Sequence, residues 1–285
     1  MSGDPFLEHR NLLFTVAYEL LGSAADAEDV VQESWLKWDR VDHSEVRDPR
    51  AYVVRIVTRT ALDRLRTVAR RREDYVGPWL PEPLLQHGPE APDYKVTLAS
   101  DLSIAFLLLL ERLAPEERAA FLLHDVFETS YSEIATMLGK TEAACRQIVT
   151  RARQRVRGDR RRFDVTRDAR ARLLASFTAA MEARDEKALL ELFTPDAVWM
   201  SDGGGVVAAS PRPLVGIDRV VRIVLGLQRL HAKRGLTLES AEVNGEPGLV
   251  LRSDGRIGAT YAIDVVDGRI GAVYVMLNPA KLPAA

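Results

Sequence analysis

From Phe6 to about Tyr75 the apolar positions recur at helical spacing: Leu12, Leu13, Val16, Ala17 and Leu20 precede a stop signal at Gly22, and Val30, Val31 and Trp35 follow. The pattern predicts an all-helical first region. Asp48-Pro49 opens its third long helix, since proline fits the first turn and an aspartate before it caps free amides; the period runs to about Glu73. Between Gly77 and Asp93 prolines at 78, 81, 83, 89 and 92 interrupt every helical period, so this stretch is expected to be extended, poorly packed and a linker. A second helical region is expected from about Leu98 to about Arg162, broken at Pro115 and punctuated at Gly139.

Past Asp168 the texture changes. Helical stretches at 169–184 and 187–192 give way to strand-like runs at 197–201, 236–243, 248–252, 257–266 and 270–277, with a further helix at about 216–233. That mixture reads as α+β. The predicted organisation is therefore residues 1–76, a proline-rich linker 77–97, a second helical domain 98–163 and a third domain 168–285.

Within the second region, Ser130-Tyr131-Ser132-Glu133 has capping-box spacing and starts a short helix through Ile134, Ala135 and Leu138. Gly139 ends it, and Thr141 caps a second helix whose apolar positions are Cys145, Ile148, Val149, Ala152 and Val156. Two short helices joined through a glycine turn form a helix-turn-helix pattern, whose second helix enters the DNA major groove. The other face carries Arg146 and Gln147, residue types that bond base edges, with Thr150, Lys140, Arg151 and Arg155 placed to meet phosphate or flank it. From Lys140 to Arg162 nine Lys and Arg stand against two acids, a local +7 inside a chain of net charge −2.

The helix after Pro49 is also basic. It carries Arg50, Arg55, Arg59, Arg64, Arg66, Arg70, Arg71 and Arg72 against the single acid Asp63 up to Arg72, with Tyr52 in its first turns. Aromatic and arginine groups together suit unpaired bases, which stack while cations hold the backbone. Upstream, Asp26, Glu28, Asp29, Gln32, Glu33 and Trp35 form an acidic ridge with an aromatic. Such a ridge repels DNA and suits a protein partner with a basic surface.

Composition narrows the alternatives. With 47% hydrophobic and 28% charged residues the chain is ordinary globular protein, and at 285 residues it is long enough for two or three domains. One cysteine, Cys145, allows no internal disulfide and no cysteine-based metal site. The start lacks an apolar signal region and the longest apolar run, 104–110, is too short to cross a bilayer, so a cytoplasmic location without membrane contact is expected.

From Asp168 onward charge is balanced, 14 basic residues against 14 acidic, which gives no footprint for nucleic acid. Asp202, His231, Tyr261 and Asp264 are candidate acid-base groups, but no local spacing brings two of them together. His231, near a helix end, reads as a C-terminal cation or surface group. Gly203-Gly204-Gly205 asks for positive φ or a close backbone approach, and lacks the lysine and the strand-to-helix context of a phosphate loop.

These motifs together resemble the extracytoplasmic-function sigma factors of bacterial RNA polymerase. Asp26 to Trp35 is similar to the family's polymerase-binding helix, 48–52 through 63–66 to its −10 recognition helix, and 113–118 with 131–135 through 151–153 to its −35 domain. Arg59 stands where many members have asparagine. Trp79-Leu80-Pro81-Glu82-Pro83, Asp202 to Gly205 and Asn278 to Leu282 resemble motifs of the subgroup with a SnoaL-like C-terminal extension.

The resemblance implies two all-α sigma domains followed by an α+β SnoaL/NTF2-like cone, with core RNA polymerase and promoter DNA as partners. By the same resemblance Lys140, Thr141, Arg146, Gln147, Thr150, Arg151 and Arg155 face the −35 element, and Tyr52, Arg55, Arg59, Asp63 and Arg66 the −10 element. Asp26, Glu28, Asp29, Gln32, Glu33 and Trp35 would meet core polymerase. Trp79, Pro81, Pro83, Asp202, Gly203, Gly204 and Gly205 would join the extension to the sigma domains in a regulatory contact within the chain. Linker acids Glu82, Glu90 and Asp93 would face basic walls of the polymerase channel. No catalytic residue, metal or cofactor is expected. An unidentified small-molecule ligand for the cone stays open, as do two other functions: a SnoaL-like isomerase or cyclase fused to a DNA-binding region, and a ligand-responsive regulator acting without polymerase.

Overall fold

A computed structural model of the chain describes residues 4–73, 75–85, 102–157, 165–253 and 255–283. They fall into two compact units. The first holds 4–73, Leu102 and 106–157; the second holds 75–85, 103–105 and the described residues from 165 onward.

In the first unit, Asp4 caps α1 (Pro5–Glu8), Gly22 in the left-handed conformation ends α2 (Arg10–Leu21), and the Ser23 hydroxyl caps α3 (Ala24–Trp38). A short 3-10 turn (His43–Glu45) leads to α4 (Pro49–Glu73), whose Ala51 amide donates to Asp48 at 3.0 Å. Leu13, Phe14, Ala17, Leu20, Val30, Val31, Trp38, Val53, Val57 and Leu65 are buried. Val30, Val31, Ser34 and Trp38 give the buried stripe of α3, so Trp35 faces outward.

Next come α5 (Ile104–Leu110) and α6 (Pro115–Phe121), which continues through a π-helical turn (Leu122–Val126); α7 (Tyr131–Leu138) and α8 (Glu142–Arg157) follow. Arg118 is almost fully buried and ties the region together by donating to the carbonyls of Leu110 at 3.0 Å and Leu20 at 2.7 Å. The expected helix start near Leu98 and end near Arg162 lie outside the described residues, as do Glu90 and Asp93.

The second unit is α+β. Helices α9 (Arg167–Ala183), α10 (Glu186–Leu192) and α11 (Ile217–Arg234) pack on a six-stranded sheet of order β2-β1-β6-β5-β4-β3. Its strands are β1 (Phe193–Asp202), β2 (Leu214–Val215), β3 (Thr237–Val243), β4 (Glu246–Ser253), β5 (Arg256–Val266) and β6 (Arg269–Met276). Only the β1/β6 pairing is parallel among the named strands. Register irregularities in the β1/β6, β4/β5 and β5/β6 pairings bend the sheet around a core of Phe177, Leu189, Phe193, Trp199, Val220, Val224, Tyr261 and Val273. Helices packed on a bent six-stranded sheet are the α+β arrangement expected after Asp168.

β1 begins four residues earlier than its apolar run suggests, and the two-residue edge strand β2 carries no pattern long enough to read. The larger difference is the linker, of which 77–85 lies within the described residues. There its backbone is extended, as the prolines require, but it is not poorly packed: Leu80 is 1% exposed, and Pro81, Pro83 and Leu84 are buried. Leu85 pairs with Val243, while Leu84 donates to Asn244 Oδ1 at 3.0 Å and accepts from the Asn244 amide at 2.7 Å. Proline removes donors but keeps apolar area, so such a segment packs well wherever a neighbour supplies the missing hydrogen bonds.

Candidate nucleic-acid interface and linker seat

The turn between α7 and α8 is built by short-range chemistry. Ser130 and Glu133 form a reciprocal capping box, Gly139 takes φ 65° to close α7, and the Thr141 hydroxyl accepts from the Ala144 amide at 3.2 Å. Cys145, Ile148, Val149, Ala152 and Val156 are buried under α8, and burial raises the pKa of the Cys145 thiol. The opposite face, with Arg146, Gln147, Thr150, Arg151 and Arg155, is exposed.

That face is not electrostatically idle. Arg146 pairs with Glu142 at 3.0 Å and lies 4.9 Å from the centre of the Tyr131 ring. Lys140 pairs with Glu116 at 3.0 Å, while Arg151 and Arg155 share Glu117. Arg153 is turned inward, clamped on Asp125 by both Nε and Nη2, which raises its pKa. These cations are thus oriented by acids of their own unit; the exposed Arg146–Glu142 and Lys140–Glu116 pairs can be replaced by an incoming phosphate at small cost, whereas Glu117 and Asp125 are largely covered.

Along α4, Tyr52 tilts against Trp38 with ring centres 5.8 Å apart, and Arg55 stands 4.5 Å from the Tyr52 ring. Asp63 pairs with Arg66 at 2.9 Å. Arg64 bridges to α3, meeting Asp26 at 2.6 Å and Asp29 at 3.0 Å, and its hydrogen bond to Asp26 raises its pKa. The basic helix therefore partly neutralises the acidic ridge. Sequence reasoning set the two charges in opposition and missed Arg64, although opposite charges on neighbouring helices were the available signal. Glu28 pairs with Arg10 and Glu33 with Lys37, while Gln32, Trp35 and Leu36 are exposed.

In the second unit the linker and the glycine loop meet at Asp202, a wholly buried side chain. Its Oδ1 accepts from the Tyr75 hydroxyl at 2.6 Å and the Gly204 amide at 3.0 Å; its Oδ2 accepts from the Leu80 amide at 2.9 Å and Lys281 Nζ at 2.7 Å. Lys281 lies 4.6 Å from the Tyr75 ring centre and 4.3 Å from that of Trp79. Asn278 donates to the Tyr75 oxygen at 2.8 Å, and burial, followed by the bond to Asp202, drives the Tyr75 pKa up.

The glycines permit the approach. Gly204 and Gly205 take φ 61° and 71°; a Cβ on Gly203 would overlap the Val207 carbonyl, one on Gly204 the Asn278 side chain, and one on Gly205 would stand 3.1 Å from the Val76 Cβ. Of the residues central to this seat, Tyr75 was not singled out from the sequence, and Lys281 was read only as part of the terminal motif 278–282.

Of the candidate acid-base groups, Asp202 is thus saturated with donors. His231 corrects the sequence reading: it is 7% exposed, and burial lowers its pKa, so it is no surface cation. Its spacing from Val220, Val224 and Leu227 places it on the buried stripe of α11, a signal that was legible. Tyr261 is buried and its pKa is raised by desolvation. Among the described residues no group of three or more His, Cys, Asp or Glu could hold a metal ion, and no helix is long and apolar enough to cross a membrane.

The family model Sigma-70 region 2 matches residues 6–72 and Sigma-70, region 4 matches 103–156. The chain is 42% identical over 244 residues to the ECF RNA polymerase sigma factor SigJ of Mycobacterium tuberculosis H37Rv, spanning 84% of this chain and 77% of that protein. The fold is similar to the crystal structure of M. tuberculosis SigJ with a TM-score of 0.78 and 38% identity, over 95% of each chain.

Proposed function

Because the chain belongs to the ECF RNA polymerase sigma factors, we propose that it docks on core RNA polymerase through the exposed face of α3 and reads promoter DNA through α4 and α8, as a cytoplasmic initiation factor with no chemistry of its own. The observation that carries this reading is α8: a buried apolar stripe fixes the helix, and the opposite face presents Arg146 and Gln147 beside exposed cations. In this reading Arg146 and Gln147 bond −35 base edges while Lys140, Thr141, Thr150, Arg151 and Arg155 hold the backbone. Tyr52, Arg55, Arg59, Asp63 and Arg66 serve the −10 element, and Asp26, Glu28, Asp29, Gln32, Glu33 and Trp35 the polymerase.

The second unit acts in cis through the linker. α4 ends at Glu73 and α5 begins at Ile104, and 75–85 of the intervening chain is seated on the second unit, which supports a shortened reach between the two DNA-reading helices. Asp202, whose acceptor positions are filled by the seat, weighs against the enzymatic alternative.

Run-off transcription with purified core polymerase on promoters mapped as dependent on this protein tests the assignment. Arg146→Ala should cost about 1 to 3 kcal/mol at one −35 position, whereas Arg151→Ala should weaken all sequences alike and flatten the salt dependence. Equal weakening of specific and random DNA by Arg146→Ala rules out base reading. Truncation after Asp168 should change output from the same promoter, and identical output across the concentration range removes the cis role.

A further inference from the structure

The Arg59 side chain is engaged within the first unit. Its Nε donates to the Met137 carbonyl and its Nη2 to the Thr136 carbonyl, both at 2.9 Å. Those oxygens lie in the last turn of α7, where a helix has run out of its own amide donors. The Gly139 and Lys140 amides both turn back to the Ala135 carbonyl, so neither caps Thr136 or Met137. The guanidinium thus caps α7 from 77 residues away, placing positive charge at the negative end of the helix dipole.

Two turns further along α4, Arg66 reaches Glu116 at the start of α6 at 3.5 Å, and the same carboxylate holds Lys140. On the other side of Arg59, the seam borders an open groove of about 400 Å³ lined by Arg47, Tyr52 and Arg55 on one wall and by Ser132, Thr136 and Met137 on the other.

We propose that Arg59 and Arg66 form a clasp that holds α4 against α6 and α7 in the free protein, an autoinhibitory contact made by side chains that the proposed function assigns to DNA. It rests on that reading only for its consequence: the Arg59 donors cannot bond α7 carbonyls and a nucleic acid at once, so opening the clasp precedes promoter engagement. The Arg59 and Arg66 bonds are exposed or part-buried and border an open groove, beside the buried Arg118 bond to the Leu20 carbonyl; they are the part of the seam that can open without unfolding either side.

The test measures distance directly. Spin labels at exposed positions 39 and 154 of the full chain, with buried Cys145 left in place, report the separation of the helices around α3 from α8. The unmodified side chains should give a narrow short distance. Arg59→Ala should raise the share of longer distances roughly fivefold to twentyfold, as loss of two charge-assisted bonds at a half-exposed site predicts. Arg59→Lys, which keeps the charge but loses the two-pronged geometry, should fall between. Glu116→Gln, which leaves α4 untouched, should also lengthen the distribution. Distances unchanged in both Arg59→Ala and Glu116→Gln overturn the clasp. Run-off transcription with the same proteins separates this from the DNA reading: longer distances with unchanged promoter recognition would leave the clasp standing and remove Arg59 from the −10 interface.

Discussion

Replacing Asp202 by asparagine keeps the volume of the side chain and removes its charge. In the folded chain the carboxylate is wholly buried, and its ammonium partner on Lys281 is 14% exposed, so solvent screens the pair little. Four donors converge on two oxygens, from Tyr75, Leu80, Gly204 and Lys281. An amide offers one oxygen, so on one side two donors would face an NH2 group. Either Lys281 and the Leu80 amide, or the Tyr75 hydroxyl and the Gly204 amide, lose their acceptor. Removing one partner of a buried pair costs about 3 to 5 kcal/mol because the other charge is left unpaired. The Leu80 amide reports this locally: it is buried and its hydrogen bond is to Asp202, so it exchanges with solvent only when the seat opens. At about 1.4 kcal/mol per factor of ten, the substitution should speed that exchange roughly a hundredfold or more. Lys281→Met should cost a similar amount by stranding the carboxylate, and the double variant should cost less than the sum of the two. The assay is native-state hydrogen exchange on peptides covering 76–85. Less than a threefold change at Leu80 in both single variants would refute the view that Asp202 holds the linker.

Two further outcomes follow from the second unit. His231 has a folded pKa below its unfolded value of about 6.5, so the unfolded chain binds more protons as pH falls through that value and stability drops there; denaturant midpoints at pH 7.5 and 5 should differ more for the natural sequence than for His231→Leu, and an equal drop in both would show that His231 does not titrate. Gly204→Ala should destabilise the unit by about 1 to 3 kcal/mol, from its left-handed φ and the displaced Asn278 side chain, and Gly203→Ala should cost at least as much because its obstacle is the Val207 backbone; a neutral midpoint shift in either would contradict the close approach.

What the sequence by itself determined is what short-range chemistry decides. The caps at Asp48, Ser130 and Thr141, the left-handed stops at Gly22 and Gly139, and the stripe from Cys145 to Val156 all act within one or two helical turns. The helix-turn-helix was therefore legible, as were the α+β texture after Asp168 and the demand of the glycine run for positive φ. Tertiary structure decided which charges meet and what covers the linker. Prolines show that 77–85 is extended, but only the fold brings Leu80 to Asp202, 122 residues away, and Tyr75 to Asn278, 203 residues away. Arg64 reads as one more cation on a basic helix until α3 and α4 pack and set it between Asp26 and Asp29. Arg59 likewise reads as a DNA contact until the end of α7 arrives with two unpaired carbonyls. Local patterns fix conformation because their partners are close along the chain; the worth of a charge depends on partners and burial that only the packed molecule supplies.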